Sequence, residues 1–247
     1  MTKNIIKYLL MLFIFLSLAI VAVSNSPFEK DTFQTTEGEL EITFIGHGTL
    51  MFSFQDMVIH VDPYGRLADY TELPEADLVL LTHSHGDHLD MDTLNQVKKE
   101  GTSIIQTETC YETTQEGMIM KNGDEQTVKG ITIEAVPAYN IEHMRSSGEP
   151  YHPKGFGNGY ILQLGDLRVY IGGDTENIPE MQEFGDIDIA FIPMNLPYTM
   201  SPEMAADAAK MIQPDILYPY HYGDSDVNHL IELLEDEDME IRIREMA

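Results

Sequence analysis

The sequence runs to 247 residues, 43% of them apolar, with 14 Lys and Arg set against 42 Asp and Glu and a formal charge of −28. A field of that sign keeps a chain soluble, repels nucleic acid and anionic lipid, and argues against a DNA- or RNA-processing role. The single cysteine, Cys110, excludes an internal disulfide framework, and its isolation from the His-rich part of the chain makes packing its expected part.

At the N-terminus Lys3 and Lys7 precede sixteen residues, Tyr8 to Val23, whose polar breaks are Tyr8 and Ser17; Ala22 and Ser24 then stand just before Asn25. Charge, apolar run and small residues in that order predict a signal peptide over residues 1–24. Retention as a membrane anchor is the alternative, although sixteen residues fall short of the about 20 that span a bilayer. The expectation is a secreted or extracytoplasmic protein that meets a membrane only if this segment is kept. Its removal takes two lysines and no acids, so the charge moves from −28 to −30.

Residues 25–38 read as a lead-in to one domain over 39–247 with no linker inside it. Strands are predicted over Glu39 to Ile45, Thr49 to Gln55 and Met57 to Val61, the last ending in the Asp62-Pro63 turn. A helix follows an Asp90 or Asp92 cap, with Leu94 and Val97 inward and Gly101 as its stop. Further strands are predicted over Ser103 to Gln106, Met118 to Met120, Ile131 to Val136, Tyr160 to Leu164, Leu167 to Ile171 and Ile187 to Ile192. Ser201-Pro202-Glu203 opens a helix to about Ile212, and Ile216 to Tyr218 is the last strand. Met57 to Asp62 and Leu167 to Asp174 each run apolar and then present an aspartate, an internal echo that suggests two similar halves with a site between them.

The densest chemistry lies in Thr82-His83-Ser84-His85-Gly86-Asp87-His88, directly after the apolar run Leu78 to Leu81. Three imidazoles and a carboxylate at a strand's C-terminal mouth are ligand types that suit Zn(II), Mn(II) or Fe(II). The pattern His83-x-His85-x-Asp87-His88 resembles the signature of the metallo-β-lactamase superfamily. Other segments agree in order: Ile45-Gly46-His47-Gly48-Thr49, Val61-Asp62-Pro63, Gly172-Gly173-Asp174-Thr175 and Pro219-Tyr220-His221-Tyr222-Gly223. The segments Pro137-Ala138-Tyr139-Asn140 and His152-Pro153-Lys154-Gly155 look more like its broad metal-dependent hydrolase branch, which includes ascorbate-phosphate lactonase-like proteins, than like its antibiotic-degrading branch.

That resemblance implies an α/β fold, a four-layer αββα sandwich, and a site for two divalent metals, zinc first and manganese or iron as alternatives. It implies that His83 and His85 bind one metal, that Asp87, His88 and His221 bind the second, and that Asp174 bridges them. Asp87 and His88 are the catalytic candidates, Asp87 as proton acceptor. The usual third histidine of the first metal is missing where Asn140 stands, and its replacement is expected from His152, with His143 and Asn140 itself as the alternatives. His47, Asp62 and Asn140 are expected to support ligands rather than bind metal; for Asp62 a plain Asp-Pro turn is an equal alternative. His60 is expected to be structural. Of the loop cations, Lys154 is the expected substrate contact and Arg145 an exposed bystander. The implied activity is hydrolysis by metal-bound hydroxide of an ester, lactone or related bond in a small molecule. The alternatives are a phosphodiesterase acting on a small molecule or lipid head group, and a non-catalytic metal-binding protein.

Overall fold

The computed structural model describes residues 27–247, so the predicted signal peptide or anchor over 1–24 lies outside the described residues. Two seven-stranded sheets pack face to face. The first contains β1 (Lys30–Thr35), β2 (Gly38–Gly46), β3 (Thr49–Phe54), β4 (Met57–Val61), β5 (Ala76–Leu80), β6 (Lys98–Gln106) and β7 (Met118–Ile119), neighbours in chain order. The second holds β8 (Glu125–Val128), β9 (Ile131–Ala138), β10 (Gly157–Leu164), β11 (Leu167–Ile171), β12 (Ile189–Pro193), β13 (Ile216–Tyr220) and β14 (Glu240–Ile241), also in chain order.

The halves share one pairing pattern. Strands β1 to β4 run antiparallel and β4 to β7 parallel; β8 to β11 run antiparallel and β11 to β14 parallel. The two apolar runs that end in aspartate are therefore equivalent strands, β4 and β11, at the switch from antiparallel to parallel.

Alternation decides which side chains meet. On β2 and β3, Leu40, Ile42, Phe44, Leu50, Phe52 and Phe54 point to the facing sheet, where Ile133, Tyr160, Leu162, Val169, Ile171, Phe191 and Tyr218 close the central core. Parallel strand β12 and the Leu78-Val79-Leu80 part of β5 are buried on both faces and run apolar for that reason. Their outer faces are covered by helices. α1 (Met91–Val97) and α2 (Glu108–Thr114) bring Leu94, Val97 and Cys110 onto Val79, Leu81 and Ile104. α3 (Pro202–Ile212) and α4 (Val227–Leu233) bring Ala205, Ala208, Ala209, Ile212 and Leu230 onto Ala190, Ile192 and Leu217. The layers read helix, sheet, sheet, helix.

Two expectations change. Residues 30–35 are not a lead-in but an edge strand paired with β2 from Lys30 opposite Thr43 to Thr35 opposite Gly38, so the domain starts before residue 39. An edge strand needs little apolar content, and Phe33 alone packs on the core. The helix begun by the Asp90 cap stops at Val97, and the chain passes directly into β6 rather than turning at Gly101.

Candidate metal centre

Both sheets open their parallel strands at the same edge, and the polar side chains collect there. After β5 the chain folds into a tight turn in which the backbone N–H groups of His88 and Leu89 donate to the His85 carbonyl at 3.0 and 2.8 Å. This turn throws His83 and His85 to one side and Asp87 and His88 to the other.

Two donor clusters result. In the first, His83 Nε2 and His152 Nε2 each lie 3.1 Å from His85 Nδ1, and His152 Nε2 lies 3.2 Å from Asp174 Oδ2. In the second, His88 Nε2 and His221 Nε2 lie 3.4 and 3.5 Å from Asp174 Oδ1, each with Asp87 Oδ2 3.9 Å away. Asp174, at the end of β11, therefore turns one carboxylate oxygen to each cluster. Gly173 before it, with φ +61°, gives the backbone room: a Cβ there would come within 3.0 Å of the Asn158 carbonyl oxygen and of Thr82 Cβ.

The donors fit a divalent cation. His88 Nε2, Asp174 Oδ1 and both ring nitrogens of His221 are buried with no hydrogen-bond partner in the protein, a cost that a shared ion at this point would remove. The electrostatics agree. Burial drives His83 well below the usual histidine range, and brings His85 and His221 down to about 4, with the neighbouring imidazoles adding to it. Burial also works against a charged His88, but Asp174, Asp62 and Asp87 outweigh it and hold the ring up at about 9. For Asp174 burial favours the neutral acid, but the surrounding His221, His88 and His152 rings outweigh it and hold the carboxyl well below the usual range. Such a carboxylate, ringed by imidazoles, is primed for a cation.

Two of these rings, His88 and His152, are held from behind. Asp62 at the end of β4 lies 2.8 Å from His88 Nδ1, and it accepts from the Thr82 backbone N–H at 2.8 Å and the Thr82 hydroxyl at 2.5 Å. This fixes the His88 ring with Nε2 forward. On the first cluster Asn140 Oδ1 takes the ring Nδ1–H of His152 at 2.7 Å and its backbone N–H at 2.8 Å. Asn140 in turn donates at 2.9 Å to Glu176, a fully buried carboxylate that also receives the backbone N–H groups of Ile141, Glu142 and His143 at 2.5–2.8 Å. Burial would raise the Glu176 carboxyl, but Asn140 and these N–H groups hold it below its usual range.

Of the remaining histidines, His143 gives Nδ1 to Glu176 at 2.7 Å and stays out of the clusters. His60 is buried against the Pro74 carbonyl, away from the site. His47 stands at the rim of the second cluster, Nε2 3.3 Å from Asp87 Oδ2 and its ring 3.7 Å from the His221 ring, so it can orient the carboxylate or join Asp87 and His221 as a donor. Its neighbour Gly48 has no spare room: a Cβ there would lie 2.9 Å from His88 Cε1 and 3.2 Å from His221 Cδ2.

Above the clusters opens a cavity of about 460 Å³ lined by His47, Asp87, Arg145, Tyr151, Asn195 and Tyr198 among others. The two loop cations differ in placement. Lys154 does not line the cavity; its ammonium donates to Glu180 at 2.5 Å and lies over the Tyr139 ring, which draws it to the outer wall. Arg145 stands at the mouth instead. Around it, four of the six exposed large apolar side chains among the described residues, Ile141, Met144, Leu196 and Tyr198, sit on two flanking loops. Sequence reasoning missed Glu176, whose signal was slight: an acid two residues after the bridging aspartate.

The Beta-lactamase superfamily domain profile matches residues 41–221. A protein described as a UPF0173 metal-dependent hydrolase from Thermococcus kodakarensis is 30% identical over 202 residues, covering 74% of this chain and 85% of that protein. Among solved structures, a candidate metal-dependent hydrolase from Parabacteroides distasonis superposes with a TM-score of 0.86 at 50% identity, covering 89% of this chain and all of that one. A metallo hydrolase from Ignicoccus hospitalis gives 0.70 at 25% identity over 84% of this chain and 96% of that one.

Proposed function

The chain belongs to the metallo-β-lactamase superfamily, as a metal-dependent hydrolase, and from that premise we propose that it cleaves an ester, lactone or related bond in a small organic molecule. The observation that carries this reading is the division of Asp174: one carboxylate oxygen to each of two histidine clusters, the arrangement that two divalent ions require of a bridge.

His83, His85 and His152 would hold one ion, Asp87, His88 and His221 the other. Zinc suits this set of imidazoles and carboxylates, with manganese or iron as the alternatives. When bound, such ions supply an activated water and an electrophile for the scissile oxygen. The chain's own residues do the rest. Asp62 and Asn140 keep the His88 and His152 rings turned inward. Asp87, partly exposed at the cavity wall and held by His47, is placed to take up a proton near the bond being cut. The apolar rim favours an organic substrate over a bare inorganic ion.

The protein is proposed to work outside the cytoplasm, on the strength of the basic, apolar and small-residue order at its N-terminus. N-terminal sequencing of exported protein should begin near Asn25, and an intact Met1 in a membrane fraction would mean anchoring. Metal analysis of the purified protein, followed by a panel holding a lactone, a phosphodiester and a β-lactam, tests the activity. Two ions per chain and lactone or ester turnover that disappears in His221→Ala is the expected result. A metal-loaded protein that turns over only the phosphodiester would overturn the bond assignment.

A further inference from the structure

Arg145 faces the first cluster in a way its surroundings do not satisfy. Its Nη2 donates to the Tyr151 carbonyl at 3.1 Å and lies 3.2 Å from His85 Nε2, with the guanidinium 5.0 Å from the Tyr151 ring centroid. His85 points Nδ1 at His83 and His152, so Nε2 is its outward nitrogen. A neutral imidazole carries one proton. With Nδ1 given to a cation, that proton must sit on Nε2, and Nε2 becomes a donor. Guanidinium nitrogens only donate. Two donors 3.2 Å apart cannot bond each other; they need an acceptor between or beside them.

We propose that Arg145 and His85 Nε2–H form a two-pronged seat for an anionic oxygen of the substrate, a carboxylate or phosphate group next to the bond that is cut. This rests on the hydrolase reading and names the substrate class for the same site. Arg145 is the one Lys or Arg among the residues lining the cavity. In a chain with 42 acids it makes no ion pair with any carboxylate among the described residues, which leaves its charge available. Two carboxylates, Asp87 and Asp174, line the same cavity and would repel an anion, so one that binds there needs a local cation.

The loop that carries Arg145 is braced. Glu176 fixes its start through three backbone N–H groups, a bridge pairs Met144 with Pro150, and Arg145 N donates to the Glu149 carbonyl at 2.7 Å while Gly148 N returns to the Arg145 carbonyl at 2.9 Å. A guanidinium on such a base loses less freedom on binding than one on a free loop.

The test is calorimetric binding of inorganic phosphate and, separately, of acetate to the zinc-loaded full chain, for wild type, Arg145→Gln and Arg145→Lys. Zinc content and circular dichroism are measured on each. Arg145→Gln should keep its zinc and fold and bind the preferred anion about tenfold more weakly, with Arg145→Lys recovering part of the loss because an ammonium lacks the planar fork. Whichever anion loses more identifies the group. In turnover, Arg145→Gln should raise KM for a p-nitrophenyl hemisuccinate by a larger factor than KM for p-nitrophenyl acetate. Equal anion affinity in wild type and Arg145→Gln, or no anion binding to wild type, overturns the seat. Binding is read without turnover: an inactive wild type whose phosphate affinity falls on substitution sinks the hydrolase reading alone, and unchanged binding beside normal ester turnover sinks the seat alone.

Discussion

Asn140 accepts twice from His152, through the ring Nδ1–H and through the backbone N–H, so one amide oxygen acts as the bracket for a histidine twelve positions later. The ring that reaches the cluster does so because the amide behind it leaves Nε2 the free nitrogen.

It follows that His152→Ala should remove the ion of the first cluster, while Asn140→Ala should keep it at about 10- to 100-fold weaker affinity. Competition with a chromophoric chelator resolves the two. Equal affinity in Asn140→Ala and wild type would separate Asn140 from the His152 ring.

Glu176→Gln keeps the shape of a buried side chain but gives up the charge that gathers three backbone N–H groups and His143. A loss of about 2 kcal/mol, roughly 4–8 °C in melting temperature, is expected, together with weaker metal binding through Asn140. Scanning calorimetry and the same chelator assay read both. A melting temperature equal to wild type would mean that the amide serves as well as the carboxylate.

Gly48→Ala drives a methyl group against His88 and His221, which face each other as parallel rings 5.3 Å apart. The second cluster should lose its ion while the first keeps its own, and the sheets should remain folded. Elemental analysis beside far-ultraviolet circular dichroism checks it; full occupancy would show that the rings can yield by a few tenths of an ångström.

Asp31 on β1 bonds Arg244 at 2.6 Å, meets Arg242 at 3.4 Å and accepts from the Tyr218 hydroxyl, tying the edge strand to the C-terminal segment. Burial raises its carboxyl, but the Arg244 and Tyr218 hydrogen bonds and the two positive charges carry it below the usual range. A depressed acid contributes stability above its unfolded value, about 4, and gives it up as pH falls through the folded one. Asp31→Asn should therefore melt about 2–4 °C below wild type at neutral pH, about 1 kcal/mol after solvent screening, with the gap closing in acid. A gap that widened in acid would reverse the sign and refute the argument.

What was legible in the sequence was whatever one strand or one turn decides by itself. Leu78 to Leu81 followed by the histidine turn announces a buried parallel strand with a polar mouth, and the echo of Met57 to Asp62 in Leu167 to Asp174 marks the equivalent strands of the two halves. Elements whose stability comes from elsewhere were not legible. α2, Glu-Thr-Cys-Tyr-Glu-Thr-Thr, has weak helix formers and only Cys110 and Thr114 buried; it holds through its Thr107 cap and its seat on the sheet. α4 buries only Leu230, and β8 buries none of its side chains fully. That Lys154 lies away from the cavity was not legible either, because its place depends on Glu180 and Tyr139, which reach it only through the fold.

The doubled sheet has one further consequence. His83, His85, Asp87 and His88 belong to the first half, and His152, Asp174 and His221 to the second, so ions seated between them would clasp the two packed walls at their open edge. The clasp closes a chain loop running from the first histidine turn to the end of β13, and the stabilisation it adds grows with the logarithm of free metal concentration. The cohesion of the two walls is then set partly outside the molecule, by the mineral supply of the compartment in which the protein resides.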